Sequence, residues 1–261
     1  MEPIPLSRLL DTAICAAKTA GKHALDNKDR RIEINESFAH DVKLVLDVEC
    51  QKIAETVIAS EFPGHGILGE EETHPNSASP YEWIIDPIDG TVNYTHDFPY
   101  WCCSIAVRRQ NRILAGCVYA PEFEDCYTAH IEAPAKCNGE PICVSETRQL
   151  DRAMIFTGLS KYMESAEAPD FDIFRTLALN SRKVRINGSA ALDLCHVARG
   201  SCDGSFGTSM YLWDHAAAGL IARQAGAVLS LYPLESEPHA SAVLCANEYL
   251  IDALRTILKC K

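Results

Sequence analysis

Two acidic residues, Asp86 and Asp89, stand three positions apart in the run WIIDPIDGT at residues 83–91. Trp83, Ile84 and Ile85 read as the end of a buried strand that stops at Pro87 and releases the two carboxylates. A carboxylate ionised at the edge of an apolar core is costly unless something positive compensates it. Two of them at one strand end suit a divalent cation with oxygen ligands. Gly90 and Thr91 follow, offering backbone N–H groups and a hydroxyl that suit a phosphate oxygen or a polarised water. Together these are the parts of metal-assisted phosphoryl transfer. Asp, Pro and Gly are equally the residues of an ordinary turn, so the segment alone leaves both readings open.

Other positions carry similar chemistry. Asp47, in DVKLVLDVEC, opens a helix, where an acid serves as a cap or a dipole partner. Glu70 begins the run Glu70-Glu71-Glu72, whose like charges repel when desolvated unless a metal resolves them. The segment NGSA at 187–190 precedes a helix, and its Gly-Ser offers open N–H groups and a hydroxyl for capping or for an anion. Asp214 sits as an N-cap before the alanine-rich helix that follows YLWD. His215 receives no role, and Trp213 reads as packing.

Periodicity supplies the elements that must hold these groups. Leu6, Leu9, Leu10, Ala13, Ile14, Ala17, Ala20 and Ala24 predict a helix over 6–27, and a second helix runs from Asp47 to Ser60. Strands are expected at 83–86, 102–108, 113–120 and 125–129, the last three as an antiparallel meander, with a tight turn at Asn138-Gly139. Beyond residue 150 strands at 153–157, 183–186, 204–206, 227–231 and 242–246 alternate with helices at 170–179, 189–199, 215–225 and 248–259. This mixed order implies a layered α/β or α+β architecture. One domain over 1–261 is expected, softly divided into a metal and phosphate half (1–147) and an α/β half (148–261).

Bulk properties narrow the partners. The 261 residues are 47% hydrophobic and carry 24 basic against 36 acidic side chains, a net charge of −12. That disfavours nucleic acid, which demands basic surface. No apolar run reaches the roughly 20 residues of a membrane span. The N-terminal run does not read as a signal peptide, so a cytoplasmic protein without membrane attachment is expected. The twelve cysteines are scattered without a C-x-x-C pair, and most lie in apolar patterns where a reduced thiol packs as a small hydrophobe.

With WIIDPIDGTVNY, GILGEEE and WDHAAAG in that order, the chain resembles the inositol monophosphatase-like, lithium-sensitive phosphatases. DPIDGTVN at 86–93 and WDHAAAGLIARQAGA at 213–227 are its signatures, and FPGHGILGEE, NGEPICVS and GSAALDLCHVARGSCDG match between them. The resemblance implies a layered αβαβα sugar-phosphatase fold, two or three Mg²⁺ ions, a small phosphorylated metabolite as substrate, lithium sensitivity and a homodimer. It also implies roles. Glu70, Asp86, Asp89, Asp214 and the carbonyl of Ile88 would hold the metal, with Asp47 beside it. Thr91, paired with Asp47, would orient and deprotonate the attacking water that Glu70 also holds. Gly90 and Thr91 would take phosphate oxygens. Gly188, Ser189 and Ala190, with Asp89 and Asp214, would line the alcohol side.

Three departures bear on the substrate. Inositol-reading members place a Glu seven residues before the WD aspartate, where this chain has Gly207. Its loss opens space and predicts loose specificity or a larger leaving group. Asp41-Val42-Lys43-Leu44 replaces the usual D-L-V-T and brings Lys43 towards the phosphate, and Asp97 precedes the FP of NYTHDFPYW. The expected activity is Mg²⁺-dependent hydrolysis of an inositol-1-phosphate-like monoester. Histidinol phosphate, a sugar phosphate or a 3′-phosphonucleotide are alternatives, and a catalytically silent binding protein is the rival from another class.

Overall fold

Leu9, Ala13, Ala16, Ala17, Ala20 and Ala24 have no exposed surface, and their helical spacing makes one apolar face of α1 (Leu6–Asp26). That face packs with α2 (Val45–Glu61), which contributes Leu46, Cys50, Ala54 and Ile58. A computed structural model of the chain describes residues 4–37, 42–76, 78–158, 169–235 and 237–259. Its remaining helices are α3 (Thr91–Thr95), α4 (Pro169–Asn180), α5 (Ala190–Ala198), α6 (Leu212–Gln224) and α7 (Ile251–Leu258).

The strands fall into three sheets. A small hairpin pairs β1 (Ile34–Ser37) with β2 (Val42–Leu44). An eight-stranded sheet contains β3 (Gly66–Gly69), β4 (Thr73–His74), β5 (Tyr81–Asp89), β6 (Cys102–Arg109), β7 (Arg112–Ala120), β8 (Asp125–His130), β9 (Lys136–Cys137) and β10 (Glu140–Pro141), in the order β10-β9-β8-β7-β6-β5-β3-β4. A five-stranded sheet contains β11 (Met154–Thr157), β12 (Lys183–Arg185), β13 (Gly204–Tyr211), β14 (Val228–Pro233) and β15 (Ala240–Ala246), in the order β12-β11-β13-β15-β14. The β6–β8 meander matches the expectation, and Asn138 and Gly139, both with positive φ, make the predicted tight turn.

The layers are α1/α2, the large sheet, α5/α6, the small sheet and α4/α7. This is the expected αβαβα stack, and it explains why β5 is apolar along nearly its whole length: helices cover both of its faces. The sequence expectation that this strand stops at Pro87 is corrected. It continues to Asp89 through a bulge, with Asp86 opposite Ser104 and Asp89 opposite Cys102. Proline lacks an N–H and is tolerated in a central strand at such a bulge. The β1–β2 hairpin and α3 were not expected, and β13 runs five residues beyond the predicted 204–206.

The alanines and glycine of α6 let it lie close on the large sheet. A Cβ on Gly116 of β7 would come within 2.8 Å of Ala217 Cα. Because the obstruction is backbone, the helix itself must move. Gly116→Ala should lower stability by about 1–3 kcal/mol, as overpacking does, and calorimetric unfolding checks it. An unchanged Tm would show that α6 has slack.

Candidate functional site

Alternation along a strand sends residues three apart to opposite faces. The β5 bulge cancels this. Ile84 faces α6, Trp83 and Ile85 face α1 and α2, and after the bulge Ile88 returns to the α1/α2 side. Asp86 and Asp89 thereby share the α5/α6 side. Both are buried, with 1% and 8% exposure.

A cavity of about 270 Å³ opens there. Glu70, Asp86, Ile88, Asp89, Thr91 and Asp214 line it, and so do Gly90, Gly188, Ser189 and Ala190. The structure therefore brings every predicted site residue to one cavity except Asp47, which is buried and near enough for Glu70 to raise its pKa.

Three carboxylates are held by backbone donors. Asp47 and Asp214 occupy the third position of α2 and α6, and each accepts the N–H of the residue before its helix, Leu44 and Tyr211, at 2.7 Å. Asp214 is thus not the N-cap expected from sequence; the helix begins two residues earlier, at Leu212. Negative charge in the first turn suits the helix dipole. Asp89 caps α5 from the other half of the chain. Its Oδ2 accepts from Ser189 Oγ and from Ala191 N (2.7 Å), and its Oδ1 accepts from Ala190 N (3.2 Å). The Ser189 hydroxyl and these amides are spent on Asp89, so capping answers the question that NGSA raised.

Burial raises Asp86 and Asp47 well above the ordinary carboxylate range, and neighbouring acids push them further. Burial also raises Asp89, against its hydrogen bonds from Ser189, Ala191 and Ala190. Asp86 Oδ1 and Asp47 Oδ1 are buried with no hydrogen-bond partner. Such oxygens cost several kcal/mol when ionised and alone, so this donor set fits a hard cation. Among the described residues, no three acidic, histidine or cysteine side chains already converge as one ligand cluster.

Several expectations change. Thr91 does not pair with Asp47; its hydroxyl donates to the Ile88 carbonyl at 3.0 Å, a partner three residues back and within reach of the first turn of α3. Lys43 pairs with Glu71 (3.4 Å) and so tempers the acidic run; Asp41 lies outside the described residues. Asp97, with φ of 59°, joins Glu122 in holding Lys28. Gly207 lines the cavity beside Met210. It lies in β13, opposite Val243, and a second bulge separates it from Met210. A Cβ at 207 would meet Met210 Sδ at 2.6 Å, so Met210 fills the position a longer residue would take.

Sequence reasoning missed Asp193. It lines the cavity at 6% exposure and accepts bonds at Oδ1 from Tyr100 Oη and Asn187 Nδ2, both 2.8 Å. An acid in the otherwise apolar stretch AALDL was the available signal. Thr157, Ser205 and Met210 extend the cavity wall, with Trp213 stacked on Tyr211 at 4.9 Å.

The αβαβα stack is a sugar-phosphatase-type fold. The chain belongs to the inositol monophosphatase family, whose profile matches residues 6–259. It is 32% identical to an inositol monophosphatase of Dictyostelium discoideum over 99% of this chain and 97% of that one. It is 34% identical to a Vibrio cholerae protein named Nus factor SuhB, over 85% of this chain and 84% of that one. A solved inositol monophosphatase from Anabaena superimposes with a TM-score of 0.84 at 30% identity, over 97% and 96% of the two chains. Among the described residues no helix is long and apolar enough to cross a membrane.

Burial lifts the Asp193 carboxyl from 3.8 to about 7. Between these values the folded chain keeps a proton that the unfolded chain releases, so stability falls as pH rises through the window. Asp193→Asn removes that titration. The stability of wild type relative to the variant should drop between pH 4 and pH 8, by at most about 4 kcal/mol at ~1.4 per pKa unit. Chemical denaturation of both proteins across that range checks it, and a flat difference would contradict it.

Proposed function

We propose that the protein hydrolyses a small phosphate monoester, with Mg²⁺ as cofactor and water as nucleophile. One observation carries this reading: a single cavity is lined by Glu70, Asp86, Asp89 and Asp214 beside the loop Gly90–Thr91, with a hydroxyl-bearing wall across from it. Oxygen-only donor sets favour Mg²⁺ over softer metals. Glu70, Asp86, Asp89, Asp214 and the second lone pair of the Ile88 carbonyl would hold it. Bound Mg²⁺ would supply Lewis acidity, neutralising phosphate charge and lowering the pKa of water.

The chain's own groups do the rest. Thr91 donates to the Ile88 carbonyl, which leaves its hydroxyl lone pairs for the attacking water to donate to. Glu70, in the same cavity, would accept the water's other proton, with Asp47 nearby as a further anion. Backbone N–H groups of Gly90 and Thr91 receive phosphate oxygens. Gly188, Ser189 and Ala190 shape the wall against the leaving alcohol, with Asp214 beside them. No covalent nucleophile is required.

An inositol-1-phosphate-like ester leads, by family and by cavity. Met210 beside Gly207 puts a thioether where inositol-reading members carry a carboxylate, which keeps a sugar, histidinol or nucleoside phosphate as alternatives. The Vibrio relative's name adds a second reading, a Nus factor role. The charge of −12 opposes direct nucleic-acid contact in such a role, which would rest on a protein partner.

Phosphate release from a panel of monoesters, with and without Mg²⁺, tests the activity; full turnover in excess chelator would sink it. Asp86→Asn should raise the barrier by on the order of several kcal/mol, the scale of losing a Lewis acid, while raising the Tm measured without metal, because a buried anion is removed. Loss of folding instead would assign Asp86 a structural role. Thr91→Ala should cut kcat by about 100-fold or more and leave KM nearly unchanged, since its bond to water matters in the transition state. A raised KM with normal kcat would make Thr91 a ground-state contact.

A further inference from the structure

Asn93, the last residue of DPIDGTVN, has a use that the reaction does not assign. Its Nδ2 donates to the Tyr100 carbonyl at 2.7 Å and to the Asn187 carbonyl at 2.8 Å. The two acceptors belong to separate segments, one leading into β6 and the other leading into α5. Tyr100 Oη and Asn187 Nδ2 then both donate to Asp193 Oδ1. The bonds close a ring through Asn93, Tyr100, Asp193 and Asn187. Each member fixes the next, so the ring is stiffer than four separate contacts.

The ring clamps the two loops that face the cavity. Gly90 and Gly188, with φ of +96° and +84°, meet across it. A Cβ on Gly90 would lie 3.0 Å from the Tyr100 carbonyl and 3.2 Å from the Gly188 carbonyl, and one on Gly188 would lie 3.0 Å from Asn93 Nδ2. The loops are therefore in contact with no slack.

We propose that Asn93 is a positioning residue: its side-chain amide sets the gap between the Gly90–Thr91 loop and the Gly188–Ser189 loop, and so fixes the ester's phosphate relative to its alcohol. This rests on the phosphatase reading above. The Asn93 amide donates to the Tyr100 and Asn187 carbonyls and not to the carboxylates proposed to hold metal. Asn93→Asp keeps the shape but faces two carbonyl oxygens with a carboxylate, which pushes the loops apart. Asn187→Ala opens the same ring from the other side while keeping the Asn187 carbonyl that Asn93 binds.

The test uses the full chain and whichever monoester the wild type hydrolyses. Its readouts are kcat and KM well below the Tm, together with the Tm rise caused by Mg²⁺ alone. We expect kcat/KM to fall about 100-fold in Asn93→Asp, the scale of an ångström-level misplacement, and less in Asn187→Ala. The Mg²⁺-induced Tm rise should persist in both, because the metal carboxylates lie outside the ring. A merely structural role would lower Tm and leave kcat/KM within twofold of wild type, and that result overturns the proposal. If Asn93→Asp does not fold, a folded Asn187→Ala with wild-type kcat/KM overturns it equally. Absence of turnover by the wild type itself would instead overturn the phosphatase reading.

Discussion

The bulge at Pro87–Ile88 is the constraint on which the site depends. In a regular strand one of Asp86 and Asp89 would point into the apolar layer beneath α1 and α2. One extra residue in β5, between Asp86 opposite Ser104 and Asp89 opposite Cys102, brings both to the cavity. It also turns Ile88 back into the core, which secures the distorted backbone by burial. A β-bulge that re-aims side chains beside a site is a recurring device. Here it is repeated across the cavity, where the bulge in β13 puts Gly207 and Met210 on one face.

From that geometry the second half of the chain is drawn in. Asp89 provides the cap that the start of α5 lacks locally, over a separation of about 100 residues. The capping bonds join the large sheet to the helix layer that supports the small one. Asp47 and Asp214 spend one oxygen each on a helix start, which fixes their direction. Asp47 and Asp89 are thus held by neutral donors. Neutral donors fix orientation without satisfying charge, so burial raises these pKa values. Such a site favours cations, as an acidic protein needs if it is to handle an anionic ester.

Much of this was legible in the sequence because it is local. Helix periodicity gave α1 and α2 within about two residues, and the β6–β8 meander followed from alternating runs between short turns. Asp86 and Asp89 stood out because carboxylates are costly in apolar surroundings; the other predicted cavity residues were named from the family resemblance. What escaped was set by tertiary contact. Periodicity contains no signal for the β5 bulge, and Pro87 read as a stop. Thr91 seemed free to reach Asp47, yet a nearer carbonyl at Ile88 claims its hydroxyl. Nor does a sequence show that Met210, three residues on, folds back beside Gly207. Asp193 and Asn93 lie about 100 positions apart, and only the fold joins them through Tyr100 and Asn187.

The central claim is that Asp86, Asp89 and Asp214, with Glu70, form an oxygen-ligand metal centre beside a phosphate loop. The direct measurement is anomalous diffraction at the manganese edge from a crystal soaked in Mn²⁺ and inorganic phosphate. The account predicts anomalous peaks within about 2.0–2.6 Å of these carboxylates, the range for hard cations and oxygen ligands, with phosphate density against Gly90 and Thr91. Peaks confined to surface acids, or none in this cavity at millimolar Mn²⁺, would contradict it.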